Sequence, residues 1–313
     1  MDNREMKILV KQSKYTFTSN LQMLIMVAPA VIILFIFNYI PMAGIIIAFK
    51  DFRANLGFIK SPWVGFKNFE FFFKSQDAWR ITRNTIGYNA AFIILGLIIS
   101  IAFALMLNEI KSKKTLKFYQ TVFFFPYFLS WVVVGYALYA FLNMEHGVLN
   151  TVLRWFGLEG KSWYTNYKYW PGILISVNLW KTIGYFSVIY YAGLMGIDKQ
   201  LFEAARIDGA NKLQIIMKIS IPMISPLIVL LVILQIGRIF YADFGLFYYL
   251  PRNIGILYGA TDVIDTYVFR ALRVTGNIGM ASAANFYQSI MGFCLVLVSN
   301  LVVKKINSDY ALF

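Results

Sequence analysis

One histidine (His146), one cysteine (Cys294) and fifteen scattered acids in 313 residues leave little that could break a bond. A metal centre needs several His, Cys or carboxylate ligands close together. A hydrolytic or transfer site needs a nucleophile beside a base. No stretch offers either, and no GxxxxGK[ST] phosphate loop is present. The residues that remain suit binding. Asn178, Lys181 and Tyr185 are spaced i, i+3, i+7, on one face of a helix. Gln235 and Arg238 share a face, with Tyr241 and Asp243 just beyond. Asn89, Trp131, Tyr136 and Asn285 are further polar or amphipathic residues in apolar surroundings. Such a set offers aromatic rings with polar handles and cations that can meet carboxylates.

The elements that must position these residues are membrane helices. The chain is 59% hydrophobic and 14% charged, against about 25% charged in soluble domains, and its mean hydropathy is +0.63. Six segments reach the roughly 20 apolar residues a helical span requires: 21–49, 84–107, 118–142, 172–195, 221–248 and 281–303. The first is too long for a signal-peptide apolar region and no small-residue cleavage site follows it, so it is expected to remain as a helix, kinked at Pro29 and Pro41. The chain reads as one all-α membrane domain, 21–304, between tails 1–20 and 305–313, without repeats or low-complexity tracts.

The net charge of +14 comes from Lys and Arg in short connections. Arg4, Lys7, Lys11 and Lys14 precede the first span, and KSKKTLK joins the second to the third. Lys199, Arg206, Lys212 and Lys218 lie between the fourth and fifth, and Lys304 and Lys305 follow the sixth. The positive-inside rule puts all of them, and both termini, on the cytoplasmic side. The 50–83 connection runs against this, with seven Lys/Arg and three acids. The larger connections on the other side are rich in Trp and Tyr, as membrane interfaces are. Basic charge without a basic helix or stacking platform excludes nucleic acid. A single cysteine permits no internal disulfide. Polar residues within spans face a cavity or a neighbour. Lys181 and Arg238 are therefore expected to line a translocation path and meet solute carboxylates. The alternative is pairing with an internal acid such as Asp243, or snorkelling to the interface.

Between the fourth and fifth spans stands a polar insert, EAARIDGANKLQIIMKISIPMISP, Glu203 to Pro226. Asp198 is placed to cap a helix over KQLFEAARI. Gly209 is placed to end it in a left-handed conformation. Asn211 with Gln214 spells a capping box for a second short helix, and Pro222 and Pro226 mark the start of the next span. The result is an exposed helix–glycine–helix elbow over 197–222. Small Ala204 and Ala205, apolar Leu201 and Phe202 and charged Glu203, Arg206 and Asp208 suit docking in a partner's groove or lying on the bilayer surface.

EAARIDGA, followed by ISIP with Ile219 ten positions after Gly209, resembles the signature loop of permease subunits of type I ABC importers. Glu203, Ala204, Ala205, Asp208, Gly209, Ile219 and Pro222 match that motif, and Ile221 stands where Leu is usual. Arg206 and DGA after EAA, WVGFKNFEFFF (Trp63 to Phe73) and RNT (Arg83 to Thr85) are similar to the carbohydrate branch. YIPMAGIIIAFKDF (Tyr39 to Phe52) is similar to its LplB/YteP-like members, which serve complex or acidic oligosaccharides. The resemblance runs from about residue 20 through most of the chain. It implies a six-helix permease of the MetI-like fold, non-catalytic, in the bacterial cytoplasmic membrane. It implies a second, homologous permease as heterodimer partner, two cytoplasmic ATPase subunits holding ATP and Mg, and an extracellular solute-binding protein delivering oligosaccharide. The insert would be the coupling helix seated on the ATPase, with Glu203, Ala204, Ala205, Arg206, Asp208, Gly209, Ile219 and Pro222 at that contact. An ion-coupled secondary carrier is the alternative; such carriers show internal repeats, and none is visible here. A membrane enzyme would need the reactive constellation that is missing.

Overall fold

The computed structural model describes residues 20–311. The expected tail over 1–20 lies outside the described residues except for Asn20. The chain forms two compact units, one up to Asn68 and one from Phe69. In the first, helix α1 (Asn20–Phe49) is apolar and exposed along nearly its whole length, as a lipid-facing helix is. Pro41, which lacks an N–H, follows a π turn at Phe35–Tyr39, whereas Pro29 sits in uninterrupted α-helix. Beyond α1 the chain doubles back. Lys50 pairs with Trp63 in an isolated bridge, the Asn68 amide donates to the Ala48 and Lys50 carbonyls, and Trp63 stacks on Phe49.

The second unit holds the remaining spans. Helix α2 (Gln76–Asn108) starts eight residues earlier than expected, because the Ser75 hydroxyl accepts from the Asp77 N–H and caps it there. Helix α6 (Trp170–Met195) packs along α2, and α11 (Ile278–Ile306) closes the set. Three apolar clusters hold the unit. One surrounds Trp170, Leu174, Leu246 and Leu250; another gathers Ala104, Tyr190, Leu194 and Ile224; the third joins Ile81, Phe240, Ile264 and Ala284.

Two expected spans need correction. The third is not one helix over 118–142. It is α3 (Lys113–Phe128) and α4 (Trp131–Leu142), bent by 97°. Pro126 removes a donor at the bend, and the Ser130 hydroxyl caps the new helix by accepting from the Val133 N–H. The fifth does not reach 248. Helix α8 (Lys212–Ile236) ends at Gly237, and after an irregular stretch the short helix α9 (Phe244–Tyr249) begins. At its other end α8 runs straight out of the elbow, with a π turn at Ile216–Ser220 accommodating Pro222.

Candidate functional site

Breaking a helix at membrane depth frees carbonyls that lipid cannot satisfy, so irregular backbone there must be met by protein. Lys181, Asn89 and Gln288 meet it. Lys181 on α6 is buried, and its ammonium donates to three carbonyls at the α3–α4 bend: Pro126 at 3.3 Å, Tyr127 at 2.7 Å and Leu129 at 2.6 Å. It also lies over the rings of Trp131 (5.1 Å) and Tyr127 (5.5 Å). All three ammonium protons are used within the fold, so the structure does not present Lys181 to a solute carboxylate. One turn further along α6, Gly184 lies against the Phe123 carbonyl, where any Cβ would collide. That glycine lets the α3 backbone come close enough for Lys181 to reach it. Tyr185 stacks on Tyr127 with centroids 4.4 Å apart.

The break after α8 is held in the same way. Asn89 on α2 donates to the carbonyls of Ile239 (2.8 Å) and Tyr241 (3.0 Å). Buried Gln288 on α11 donates to Phe240 O at 2.6 Å and to the Asp265 carboxylate at 3.2 Å. Asp265 also accepts from the Ala242 N–H; burial pushes its carboxyl up, while these two donors oppose the rise. The Asn89 amide thus caps the backbone freed at this break. Asp243 caps α9 through the N–H groups of Gly245 and Leu246 and accepts the Trp131 indole N–H at 2.7 Å. Trp131 thereby links the two breaks. Asn178 is buried beside this region of α6, and Gln235 is half-buried near the end of α8.

The remaining candidates face outward from the chain. Arg238 is exposed, and its side chain has no ion pair or hydrogen bond among the described residues. Tyr241 shares a 2.7 Å hydrogen bond with Ser289, which donates to the carbonyl of exposed Asn285. Tyr136 is 70% exposed and lines a cavity of about 170 Å³ with Tyr248, Tyr249 and Arg252. Sequence reasoning missed the last three. Arg252 and Asn253 both adopt left-handed backbone, φ 57° and 51°, which side-chain-bearing residues rarely do. The turn lays the exposed Arg252 guanidinium over Tyr139, 4.1 Å from the centroid. Also missed is a buried ion network that fixes the α9–α11 connection: Asp262 pairs with Arg270 and, at 3.5 Å, with Arg80. Its only sequence trace is an acid ahead of a helix whose basic residue lies two turns on.

The caps of the elbow form as its punctuation indicates, but the expected second short helix is not separate from the next span: it runs on through Pro222 as α8. Asp198 caps α7 (Lys199–Ile207) by accepting from the Gln200 N–H. Gly209 has φ 79°. The capping box is complete, with the Gln214 N–H to Asn211 at 2.9 Å and the Asn211 N–H to Gln214 at 2.8 Å. Glu203, Ala204, Arg206, Asp208 and Pro222 are exposed, and Ala205 and Ile219 are half-buried. Leu201, Ile207 (86% exposed) and Leu213 add an uncovered apolar surface. Behind α7 lies a cleft of about 590 Å³ lined by Lys199, Glu203, Arg206 and Lys212, in which Lys212 pairs with Glu109 at the end of α2, 2.7 Å away.

Residues 93–307 match the family described as binding-protein-dependent transport system inner membrane component. The chain is 31% identical to the polygalacturonan/rhamnogalacturonan transport system permease protein YteP of Bacillus subtilis, over 97% of this chain and 92% of that one. It is 29% identical to protein LplB of the same organism, over 91% and 89%. Among solved structures it is similar to a chain of a bacterial alginate ABC transporter in complex with an alginate pentasaccharide-bound periplasmic protein. There the TM-score is 0.84 at 31% identity, covering 93% of this chain and 97% of the other.

Proposed function

Because this chain belongs to the family of binding-protein-dependent transport system inner membrane components, we propose that it imports an acidic oligosaccharide by alternating access, driven by partner ATPases. Permease subunits of ABC importers for oligosaccharides share its MetI-like fold, and the ion-coupled carrier reading is not favoured. The observation that carries the coupling is the elbow: a capped, rigid, exposed helix pair bearing the signature loop between two spans. Glu203, Ala204, Ala205, Arg206, Asp208, Gly209, Ile219 and Pro222 form its contact with the ATPase, where ATP and Mg reside. A second permease completes the path, an external binding protein delivers the solute, and both termini are cytoplasmic.

The acidic character of the solute rests on the alginate importer and the polygalacturonan permease as relatives and on two exposed cations, Arg238 and Arg252, the latter beside Tyr136, Tyr248 and Tyr249. Aromatic faces with a fixed guanidinium suit a uronic acid ring. The complex reconstituted in liposomes is expected to take up trigalacturonate only with internal ATP, and Glu203→Lys to lose both uptake and ATPase co-purification. Arg238→Gln with Arg252→Gln is expected to lower uptake of trigalacturonate by about tenfold, the weight of one charge-assisted bond, and to leave a neutral trisaccharide unchanged. Uptake by this chain alone without ATP overturns the importer; equal loss for both sugars overturns the acidic solute.

A further inference from the structure

At the end of α2 and α6 away from the elbow, these helices and the Gly259–Ala260 segment line a groove of about 420 Å³. Arg83 and Lys168 stand at its rim, and both are exposed. No acid lines it. The nearest buried carboxylate, Asp262, is committed to Arg270, Arg80 and Thr266. Among the described residues Arg83 has one weak side-chain bond, 3.4 Å to its neighbour Asn84, and the Lys168 ammonium has none. The groove therefore carries two uncompensated positive charges, and the N-terminal end of the 26-residue α6 adds to them.

Their level in the bilayer follows from the sequence. Arg83 is the last charged residue of α2 before an apolar run that continues to Glu109. Lys168 is the last before the run that begins α6 and continues to Lys181. Arg83 on α2 and Lys168 in the turn just ahead of α6 thus stand where polar headgroups give way to hydrocarbon. One turn deeper the lining changes to Gly87, Tyr88, Pro171 and Ile175. The Tyr88 hydroxyl is satisfied by the Ala260 carbonyl, so this part of the groove is apolar. Gly87 has open space where a side chain would stand. A cationic rim at headgroup level above an apolar trough between two spans matches one class of ligand, an anionic phospholipid with its phosphate at the rim and an acyl chain in the trough.

We propose that the groove between α2 and α6 binds an anionic phospholipid through Arg83 and Lys168. With the elbow cytoplasmic, this lipid belongs to the outer leaflet, and it accounts for basic residues on the side where the positive-inside rule expects few. The test uses the complete transporter in nanodiscs of equal dioleoyl phosphatidylglycerol and dioleoyl phosphatidylcholine, with retained lipid counted by native mass spectrometry. Wild type is expected to retain phosphatidylglycerol selectively. Arg83→Gln and Lys168→Gln are each expected to reduce that selectivity roughly fivefold, and Gly87→Leu, which keeps both cations and fills the trough, to abolish retention. Unchanged selectivity in the double Arg83→Gln, Lys168→Gln variant overturns the proposal, as does retention in Gly87→Leu. Displacement of phosphatidylglycerol by trigalacturonate also overturns it and assigns the groove to the solute.

Discussion

Lys181 shows how a polar residue in a span can be read from sequence while the group it meets cannot. Its spacing with Asn178 and Tyr185 marks a polar face of α6, and that face exists. What occupies it is the bent backbone of α3 and α4, which takes all three ammonium protons. A bend at Pro126 leaves carbonyls that only a nearby donor can satisfy, and the sequence does not say which residue across the bundle supplies it. Lys181→Met removes the donor and leaves buried carbonyls unpaired, at about 1–3 kcal/mol for an orphaned group. The expected outcome is a lower melting temperature of the purified complex and an equal loss of acidic and neutral oligosaccharide uptake. Lys181→Arg, which keeps charge and donors, is expected to recover part of both. A Met variant that melts like wild type yet loses only the acidic sugar would return Lys181 to the solute.

Among the elements, legibility follows locality. The elbow was readable because each of its determinants lies within four residues of what it fixes: Asp198 and the Gln200 N–H, Gly209 and its own φ, Asn211 and Gln214. The central runs of α1, α2, α6 and α11 were readable because composition alone sets a span. The bend between α3 and α4 has local marks in Pro126 and Ser130, but the carbonyls it frees, like those at the early end of α8, are met by Lys181, Asn89 and Gln288, which are remote in sequence. The strained turn at Arg252 and Asn253 is hidden for the same reason; Asn253 is tied to Tyr258 and Arg270. Gly209 gives the element-scale test. A Cβ there meets nothing within 4 Å, so the cost of a side chain is conformational, about 1–2 kcal/mol for most residues. Asn tolerates the left-handed region and Val does not. Gly209→Asn is expected to keep ATPase co-purification and Gly209→Val to lose most of it, while the expression of both stays near wild type. Equal binding by the two variants would mean that the elbow's shape is not what the partner reads.

At the scale of the whole molecule, the continuity of α8 matters most. It leaves the elbow at Lys212 and runs to Ile236 without a stop, with Pro222 accommodated by a π turn and Pro226 inside the helix. At its far end lie Arg238, Tyr241 and Asp243, on irregular backbone held by side chains from α2 and α11. A continuous helix with the proposed docking surface at one end and an irregular polar segment at the other can carry a displacement between them, since packed elements shift between discrete arrangements rather than bending smoothly. The Lys212–Glu109 pair ties the near end of α8 to α2, and Asn89 on that same α2 holds the far end. If the elbow is the coupling element, α8 with α2 as its guide is the route by which its motion reaches the polar segment. The prediction concerns Arg238→Cys in a Cys294→Ser background. Its labelling by a membrane-impermeant thiol reagent is expected to change severalfold when the complete transporter is trapped with ATP and vanadate, and to stay constant when Gly209→Val is added. Labelling that ignores the nucleotide state in the intact complex would separate the elbow from the polar segment and refute α8 as the transmitting element.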